Sequence, residues 1–457
     1  FKKLDLIHTN ACSYAAQAKN FDVVYFDPMY PSTKKNALTS GKLDYIAKIL
    51  EIESINNNSL ELHFALLCYQ RQKQLIQILT GQEVPSGQLP SSMGIVLQKT
   101  RLAEQLLEAM GKLFGGVRGG LAISTVLVGA LLAASTGVVG ASVVAMGLIS
   151  LPVMLKYKYD KSLACGTICA SGTLGQIIPP SIILIILGDV LGIPVGDLFQ
   201  AAVGPGFVLI GIYIVYILVY AWLKPEAAPA MPMDDDVQHR HQMYVRALKA
   251  IIPPLALILI VLGSIFAGVA TPTESSALGG VGALVLAVAY RQFSWKMMFE
   301  SAQETVKVTA MVFAILLGAT AFSMAFSYTG GDYIVEEILS DMPGGQMGFL
   351  ILSMVAIMIL GFFIDFVEIS FIIVPILAPV ADALGIAPLW FAILIAMNLQ
   401  TSFLTPPFGF SLFYLKGVAP AGIKTTDIYR GVIPFILMQV GVVISILLFP
   451  EWYGLVG

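Results

Sequence analysis

The chain has 457 residues, of which 57% are hydrophobic and 12% are charged, and its formal net charge is −3. Ordinary soluble domains carry about 25% charged residues, so this composition argues against a soluble enzyme, and the acidic balance argues against a nucleic-acid-binding surface. A mean hydropathy of +0.82 and recurrent apolar runs of about 20 residues indicate a polytopic membrane protein.

The N-terminal part differs from the rest of the chain. Residues 1–92 contain no stretch that is long and apolar enough to cross a bilayer. We expect a soluble segment at 1–80 and a turn-rich linker at 81–92. The sequence starts at Phe1 without a visible signal peptide, so we expect a fragment. The cysteines lack any paired spacing with the histidines and predict neither a zinc site nor a disulfide framework: Cys12, Cys68, Cys165 and Cys169.

Apolar segments separated by Gly, Pro and charged residues fill the chain from residue 93 onward. We predict spans or half-spans at 119–136, 139–155, 162–188, 199–223, 250–270, 276–290, 305–327, 347–364, 366–381, 389–415 and 431–449. The pairs 119–136/139–155 and 347–364/366–381 are joined by only a few residues, which predicts two re-entrant hairpins.

Two proline pairs interrupt longer apolar runs in their middle: Pro179 with Pro180, and Pro406 with Pro407. Irregular backbone at membrane depth is tolerated only where it is buried in protein or lines a wet cavity. The two broken helices therefore predict a binding site.

An internal repeat relates these features. Pro152 corresponds to Pro379, and Pro179 to Pro406, at the same offset of 227 residues. We therefore predict two copies of a unit made of a hairpin, a broken helix and a spanning helix, at 93–223 and 250–457. A cytoplasmic loop at 224–249 separates them.

Charge distribution predicts that the two units have opposite orientations. Lys and Arg flank the first hairpin, whereas residues 308–415 contain neither. By the positive-inside rule, the first hairpin enters from the cytoplasm and the second from outside. The fold class predicted is an all-α polytopic membrane protein with an inverted repeat, two re-entrant hairpins, two broken helices and a small α/β-like soluble fragment at the N-terminus.

The first copy lacks the opening helices that precede the hairpin in the second copy. Their counterparts would lie near residues 22–99, which are polar. We expect a chain with this composition to fold poorly or to be inactive, and the junction of two unlike sequences suggests a chimeric or misassembled reading frame.

Broken helices present amides to anions and carbonyls to cations, so each hairpin tip and its neighbouring break predict a joint carboxylate and Na⁺ site. No cofactor other than the bound Na⁺ is expected. The first set of candidates is Ser135, Thr136, Gly137, Ser171, Gly172 and Thr173. The second set is Asp365, Glu368, Asn398, Thr401, Ser402 and Thr405.

Each type of candidate has a structural alternative. Small polar residues also let membrane helices pack closely. Asp365 and Glu368 lie in an apolar run and are functional candidates, or they belong to a tip solvated by a water-filled cavity. Asn398 either satisfies freed backbone groups or touches substrate.

Two further polar stretches favour structural explanations. Thr271 to Glu274 has the residues of a capped helix start. The acidic run 234–236 and its neighbouring histidines fit a solvated linker better than a metal site.

With these residues in view, the chain from Met93 onward resembles the large membrane subunit of tripartite ATP-independent periplasmic (TRAP) transporters, of the DctM type, in the ion-transporter superfamily. The motifs that carry the resemblance are AASTGVVGASVVAMG at 133–147, ASGTLGQIIPPS at 170–181, GVATPTESSALG at 268–279, GFFIDFVEIS at 361–370 and MNLQTSFLTPPFGFSLF at 397–413.

This resemblance implies a bacterial inner-membrane, sodium-coupled symporter for an organic acid, such as a dicarboxylate, that works as an elevator. It also implies two partners, a small four-helix membrane subunit and a periplasmic solute-binding protein. It implies no enzymatic activity.

Residues 4–11 and 21–38 resemble a fragment of a small-subunit rRNA guanine-N2 methyltransferase. Asp27, Pro28, Met29 and Tyr30 follow an apolar stretch and occupy the place of that family's substrate-amine motif. The alternative is an ordinary turn after a strand. The glycine-rich turn for S-adenosylmethionine is absent, so this cofactor would matter only if the fragment were functional.

Overall fold

The computed structural model describes residues 116–137, 139–230, 237–340 and 343–456, together with Leu106, Met110, Gly111, Leu113 and Phe114. The regular elements in these residues are helices. Six of the described helices are long and apolar enough to cross a membrane. The predictions for residues 1–92, including the methyltransferase-like motif at Asp27 to Tyr30, lie outside the described residues.

The first half of the transporter part contains a hairpin, a broken helix and a long helix. In chain order these are α1 (Gly120–Thr136), α2 (Val139–Lys156), α3 (Lys161–Thr173) with a 3₁₀ turn at Leu174–Gln176, α4 (Ile182–Leu191) and α5 (Val195–Leu223). Asp160 caps α3 by accepting a hydrogen bond from the Leu163 amide at 2.9 Å. Gly192 ends α4 in the left-handed conformation, with φ of 67°.

Four helices connect the two halves: α6 (Val237–Phe266), α7 (Pro272–Ala289), α8 (Trp295–Tyr328) and α9 (Gly331–Ser340). The Thr271 hydroxyl accepts from the Glu274 amide at 3.3 Å, and the Glu274 carboxylate accepts from the Thr271 amide at 2.9 Å. This reciprocal pair is a capping box. The predicted helix start at Thr271 is therefore confirmed.

The second half repeats the plan of the first. Its helices are α10 (Gly345–Leu360), α11 (Phe366–Ala383, with a π-helical turn at Ile369–Ile373), α12 (Pro388–Leu404), α13 (Phe410–Val418) and α14 (Thr425–Leu448). The starts of α3 and α12 are 227 residues apart. The helices that follow the two breaks, α4 and α13, start at Ile182 and Phe410. The predicted hairpins and repeat are confirmed.

Two helices extend beyond the predicted apolar spans. Helix α6 begins at Val237, inside the stretch predicted as a loop, and α8 begins at Trp295 rather than near 305. Both helices start with amphipathic turns that lie beyond the apolar run, and Ser294 caps α8 through the Met297 amide at 3.1 Å. The short helix α9 was not predicted, because its sequence mixes acidic and apolar residues.

The broken helices form the centre of the molecule. Every residue of α12 from Trp390 to Leu404 is buried, and α3 is buried from Leu163 to its end. Helix α3 crosses α14 at Gly166 and Gly431, where a Cβ on either glycine would collide with the backbone of the other helix. Close backbone contact of this kind is how membrane helices associate tightly. The two halves are therefore in direct backbone contact where α3 crosses α14.

Helix α8 contacts this centre through apolar side chains. Val312, Phe313, Leu316 and Ala319 of α8 form one buried cluster with Ile182 and Ile186 of α4 and with Val367 and Phe371 of α11. A second cluster joins α6 to α7, mainly through Leu257, Val261 and Ala283.

Candidate functional site

The tip of the first hairpin lies against the first break. Gly137, between α1 and α2, has φ of 63°, and a Cβ added to it would lie 3.1 Å from the Ile182 side chain and 3.6 Å from the Pro180 carbonyl oxygen. The left-handed backbone and the short distance to Ile182 both favour glycine. The first tip therefore lies beside Pro180 and Ile182, at and just after the break.

The small residues at the end of α3 lie between the two helices of the hairpin. A Cβ on Gly129 of α1 would collide with Ser171, and a Cβ on Gly172 would collide with Val143 of α2. Close packing therefore accounts for Gly172 and, in part, for Ser171. Ser135 and Thr136 belong to the last turn of α1, and their side chains are outside the described set.

Hydroxyl groups at the first break direct their hydrogens into their own helix. Ser171 donates to the Ile168 carbonyl at 3.0 Å, and Thr173 donates to the Ala170 carbonyl at 2.9 Å. A hydroxyl whose hydrogen is used in this way keeps its lone pairs as acceptors. Such an oxygen suits a cation better than an anion.

The second hairpin tip meets the second break in a similar way. A Cβ on Gly361 would collide with Ser402 of α12. The Phe363 and Phe408 rings lie 5.3 Å apart, and the Phe366 and Phe403 rings lie 5.9 Å apart. These contacts join the tip to the residues on both sides of the break.

The acids at the second tip occupy different environments. Asp365 caps α11 by accepting a hydrogen bond from the Phe366 amide at 2.7 Å. Glu368 follows one turn later and has one buried oxygen, Oε2, without a hydrogen-bond partner among the described residues. The π-helical turn begins at the next residue, and π-helical turns occur frequently at functional sites. The second tip thus combines two acidic side chains with irregular backbone.

The polar residues of α12 repeat the pattern of α3. Thr401 donates to the Met397 carbonyl at 2.9 Å, Ser402 to Leu399 at 2.8 Å and Thr405 to Thr401 at 2.8 Å. Their oxygens also remain available as acceptors.

Asn398 has a structural partner. Its amide donates to the Met354 carbonyl of α10 at 2.7 Å. The alternative in which Asn398 satisfies a backbone group is therefore the one that the structure supports.

Both breaks contain a cis peptide bond, between Pro179 and Pro180 and between Pro406 and Pro407. The helices stop before each pair and restart after it, at Ile182 and Phe410. The four prolines are therefore helix-break residues, as predicted.

Four polar side chains near these breaks were not predicted. They are Gln176, Gln400, Tyr414 and Gln439. Gln439 of α14 donates to the Tyr213 hydroxyl of α5 at 2.7 Å and to the Thr173 hydroxyl at 3.4 Å, and so joins the second half to the first break. A lone glutamine in an apolar run was the available signal.

Apolar contacts connect the first break to the second tip. Ile182, just after the first break, and Val367, just after the second tip, belong to one buried cluster. Tyr414 of α13 lies against the first hairpin, because a Cβ on Gly140, at the start of α2, would lie 2.9 Å from its ring. The two tip and break pairs therefore belong to one central region.

The electrostatics of this region come from helix ends, hydroxyl oxygens and the two acids. The sequence has no Lys or Arg at 162–223 or 308–415. Among the described residues, no group of three His, Cys, Asp or Glu could hold a metal ion. Such an arrangement can bind a weakly hydrated hard cation through oxygens and a carboxylate through helix amides.

Comparison with known proteins identifies the transporter part. The family model of the tripartite ATP-independent periplasmic transporter, DctM component, matches residues 91–452. The chain belongs to this family. It is therefore a TRAP transporter large permease subunit and a multi-pass membrane protein, as the sequence motifs predicted.

Curated relatives agree with the family. The chain is 29% identical to the ectoine TRAP transporter large permease protein TeaC of Halomonas elongata, over 83% of this chain and 88% of that protein. It is 30% identical to the C4-dicarboxylate TRAP transporter large permease protein DctM of Pseudomonas aeruginosa, over 78% and 83%. It is 28% identical to the sialic acid TRAP transporter large permease protein SiaM of Vibrio cholerae, over 81% and 83%. These relatives are permease subunits and not enzymes.

The fold also has a counterpart among solved structures. The Alcanivorax borkumensis YdaH transporter, whose crystal structure reveals an unusual topology, is similar with a TM-score of 0.57 and 12% identity, over 87% of this chain and 90% of that chain. The predicted fold class is confirmed for the permease.

The N-terminal segment matches a different family. A model of SAM-dependent methyltransferases matches residues 1–67. The predicted resemblance of this segment to a methyltransferase fragment is thereby confirmed, and it concerns a small part of the chain.

Proposed function

We propose that this TRAP permease imports an organic acid across the bacterial inner membrane and that sodium is the coupling ion. The observation that carries the proposal is the pairing of each hairpin tip with a helix break. At both breaks the hydroxyls donate to carbonyls of their own helices, so their oxygens still have acceptor capacity. The sequence at 162–223 and 308–415 has no Lys or Arg. A substrate carboxylate in this region needs positive charge from helix N-termini and from a bound cation.

The proposed ligands divide between the two breaks. At the first, we propose Thr173 and Ser171 with the tip residues Ser135, Thr136 and Gly137. At the second, we propose Asp365 and Glu368 with Thr401, Ser402 and Thr405. Gly172 is assigned to packing by its contact with Val143, and Asn398 to the contact between α12 and α10.

The apolar contact of α8 supports an elevator mechanism. The cluster that joins α8 to α4 and α11 is built from Val, Ile, Leu, Phe and Ala side chains. Such a surface has no directional bonds within the cluster that fix one register, so the hairpins and broken helices can slide along α8 as one body.

The family description as a tripartite system implies further components. We propose a small four-helix membrane subunit and a periplasmic solute-binding protein that delivers the acid. The distribution of Lys and Arg in the sequence places the first hairpin on the cytoplasmic side. The methyltransferase resemblance is not proposed as an activity of this chain.

The test uses the full chain, purified with its small membrane subunit and its binding protein. We expect NaCl, but not KCl or choline chloride at equal ionic strength, to raise the melting temperature of the complex. In proteoliposomes we expect an inward sodium gradient to drive uptake of radiolabelled gluconate or succinate, and monensin to abolish it. Equal stabilisation by all three salts, together with uptake that ignores the sodium gradient, would contradict sodium coupling.

A further inference from the structure

Two glutamines at the helix breaks are buried without hydrogen-bond partners. Gln176 is 2% exposed and Gln400 is 0% exposed. Neither the nitrogen nor the oxygen of either side-chain amide has a partner among the described residues. A buried amide without a partner costs free energy, especially in a membrane interior. An apolar side chain of similar size would avoid this cost.

Both glutamines belong to the half-helices that precede the breaks. Gln176 ends the 3₁₀ turn Leu174–Gln176, and its backbone carbonyl accepts from the Ser181 hydroxyl at 2.6 Å across the break. Gln400 lies in the last turns of α12, before the break that starts at Thr405. The turn that carries Gln176 packs against α12, so the two amides come from elements in direct contact.

Other buried amides in the same region do have partners. Asn398 donates to the Met354 carbonyl, and Gln439 donates to Tyr213 and Thr173. These two amides connect helices. Gln176 and Gln400 have no such partner in the part of the chain that the structure describes, so no hydrogen bond observed there accounts for them.

The charge of the region restricts the group that they would bind. The sequence has no Lys or Arg at 162–223 or 308–415, so these stretches offer no cationic side chain to a second carboxylate on the substrate. A carboxamide offers two N–H donors and one oxygen acceptor without charge. Its natural partner is a neutral group that both donates and accepts, such as a hydroxyl or an amide.

We propose that Gln176 and Gln400 bind a neutral polar group of the substrate, and that the substrate is a monocarboxylate carrying a hydroxyl or amide group. This inference rests on the proposed function, because it concerns the same central region. Both side chains are buried, so the substrate reaches them when a hairpin tip moves away from its break. At the first break, Gly137 of the tip lies against Ile182.

The test compares gluconate, which is a polyhydroxylated monocarboxylate, with hexanoate, which lacks the hydroxyls, and with succinate, which has two carboxylates. The complete complex is used throughout. We expect the wild type to take up gluconate at least tenfold faster than hexanoate or succinate under a sodium gradient. We expect Gln176→Leu and Gln400→Leu each to reduce gluconate uptake at least tenfold.

Melting temperature supplies the second readout. Replacing an unpartnered buried amide by an apolar group of similar size is neutral or stabilising. We therefore expect both leucine variants to melt at or above the wild-type temperature and to keep the sodium-dependent shift. A residue with a structural partner behaves differently, and Asn398→Leu is expected to melt at a lower temperature.

Thr167→Val is the matched control for a buried polar group away from the break. Thr167 of α3 is 0% exposed, and its hydroxyl also lacks a partner among the described residues. We expect this variant to keep both gluconate uptake and stability.

Three results would overturn the inference. Leucine variants that keep wild-type gluconate uptake would exclude substrate contact, and leucine variants that melt as low as Asn398→Leu would show a structural role. Preference of the wild type for succinate or hexanoate, or uptake of none of the three with an intact sodium shift, would refute the substrate class alone. Loss of the sodium shift in the wild type would instead refute the proposed function.

Discussion

The two halves of the permease have the same backbone plan but different chemistry at their tips. The first tip consists of a glycine with a left-handed backbone, Gly137, and leads into α2 without a charged residue. The second tip carries Asp365 as a helix cap, then Glu368 and a π-helical turn. The first half forms a hairpin tip beside a helix break without any acidic side chain. The hairpin therefore does not require Asp365 and Glu368, and these acids can serve in binding.

Equivalent positions in the broken helices differ in the same direction. At the offset of 227 residues, Ser171 corresponds to Asn398, and Thr173 corresponds to Gln400. At these two positions the first half has short hydroxyl side chains that bond within their own helix, and the second half has longer amides. One of these amides, Asn398, reaches a different helix.

The crossing of α3 and α14 is the contact between the two halves whose disruption we expect to cost the most stability. Gly166→Leu would place a side chain against the Gly431 carbonyl, and we expect a loss of about 3 kcal/mol or more because two packed backbones cannot separate cheaply. Size-exclusion chromatography of the detergent-solubilised protein would show little monodisperse material. Gly441→Leu, on α14 with no atom within 4 Å of the added Cβ, should remain folded. Equal behaviour of the two variants would contradict the close crossing.

Replacing Asp365 at the second tip tests whether its carboxylate contributes to sodium binding. Asp365→Asn keeps an oxygen that can cap the Phe366 amide but removes the negative charge. If that charge contributes to cation binding, we expect the sodium concentration for half-maximal uptake to rise about tenfold or more, which corresponds to about 1.4 kcal/mol. Asp382→Asn, at the exposed far end of the same helix, is the control. An unchanged sodium dependence in Asp365→Asn would assign Asp365 to capping alone.

The pair Ser171 and Asn398 sharpens the comparison of the broken helices. Asn398→Ala removes a bond between two helices, and we expect a cost of about 1–3 kcal/mol. Ser171→Ala removes a bond to Ile168 of the same helix, and we expect less than about 1 kcal/mol. Thermal unfolding of both variants measures the difference. The reverse order would show that the hydroxyl at the first break has a partner of greater importance.

The first tip tests the contact between Gly137 and Ile182. Gly137→Ala adds a Cβ at positive φ near Ile182, and we expect a cost of about 1–2 kcal/mol from the left-handed backbone alone. Gly192→Ala has nearly the same φ, 67°, but open space around the added Cβ, so it measures the backbone contribution by itself. Thermal unfolding of the two variants should differ by the contact with Ile182. Identical melting temperatures would mean that the tip moves away from Ile182 without a loss of unfolding free energy.

Much of the fold could be predicted because prolines, glycines and apolar runs are local signals. The cis bonds lie at the predicted proline pairs, and the hairpins lie at the predicted pairs of apolar runs, with two residues between the helices of the first hairpin and five between those of the second. The start of α6 could not be predicted from hydropathy, because its first turns are polar and project beyond the apolar run.

The candidate site could be predicted only in outline. The proximity of tips and breaks followed from the repeat, but the partner of each polar side chain depends on contacts between distant helices. In the sequence, Asn398 and Gln439 cannot be distinguished from Gln176 and Gln400, because all four are amides within apolar runs. Only their surroundings show that the first two have partners in other helices, whereas the amides of the second two have none among the described residues.

The crossing of Gly166 and Gly431 also bears on how the permease could be divided. At this crossing the backbone of α3 in the first half packs directly on the backbone of α14 in the second half. We therefore expect the two halves to associate even without the covalent connection through α6 to α9. Two separately translated pieces, cut in the segment that precedes α6, should assemble when they are made in the same cell. Either piece made alone would present an uncovered backbone ridge and should be degraded.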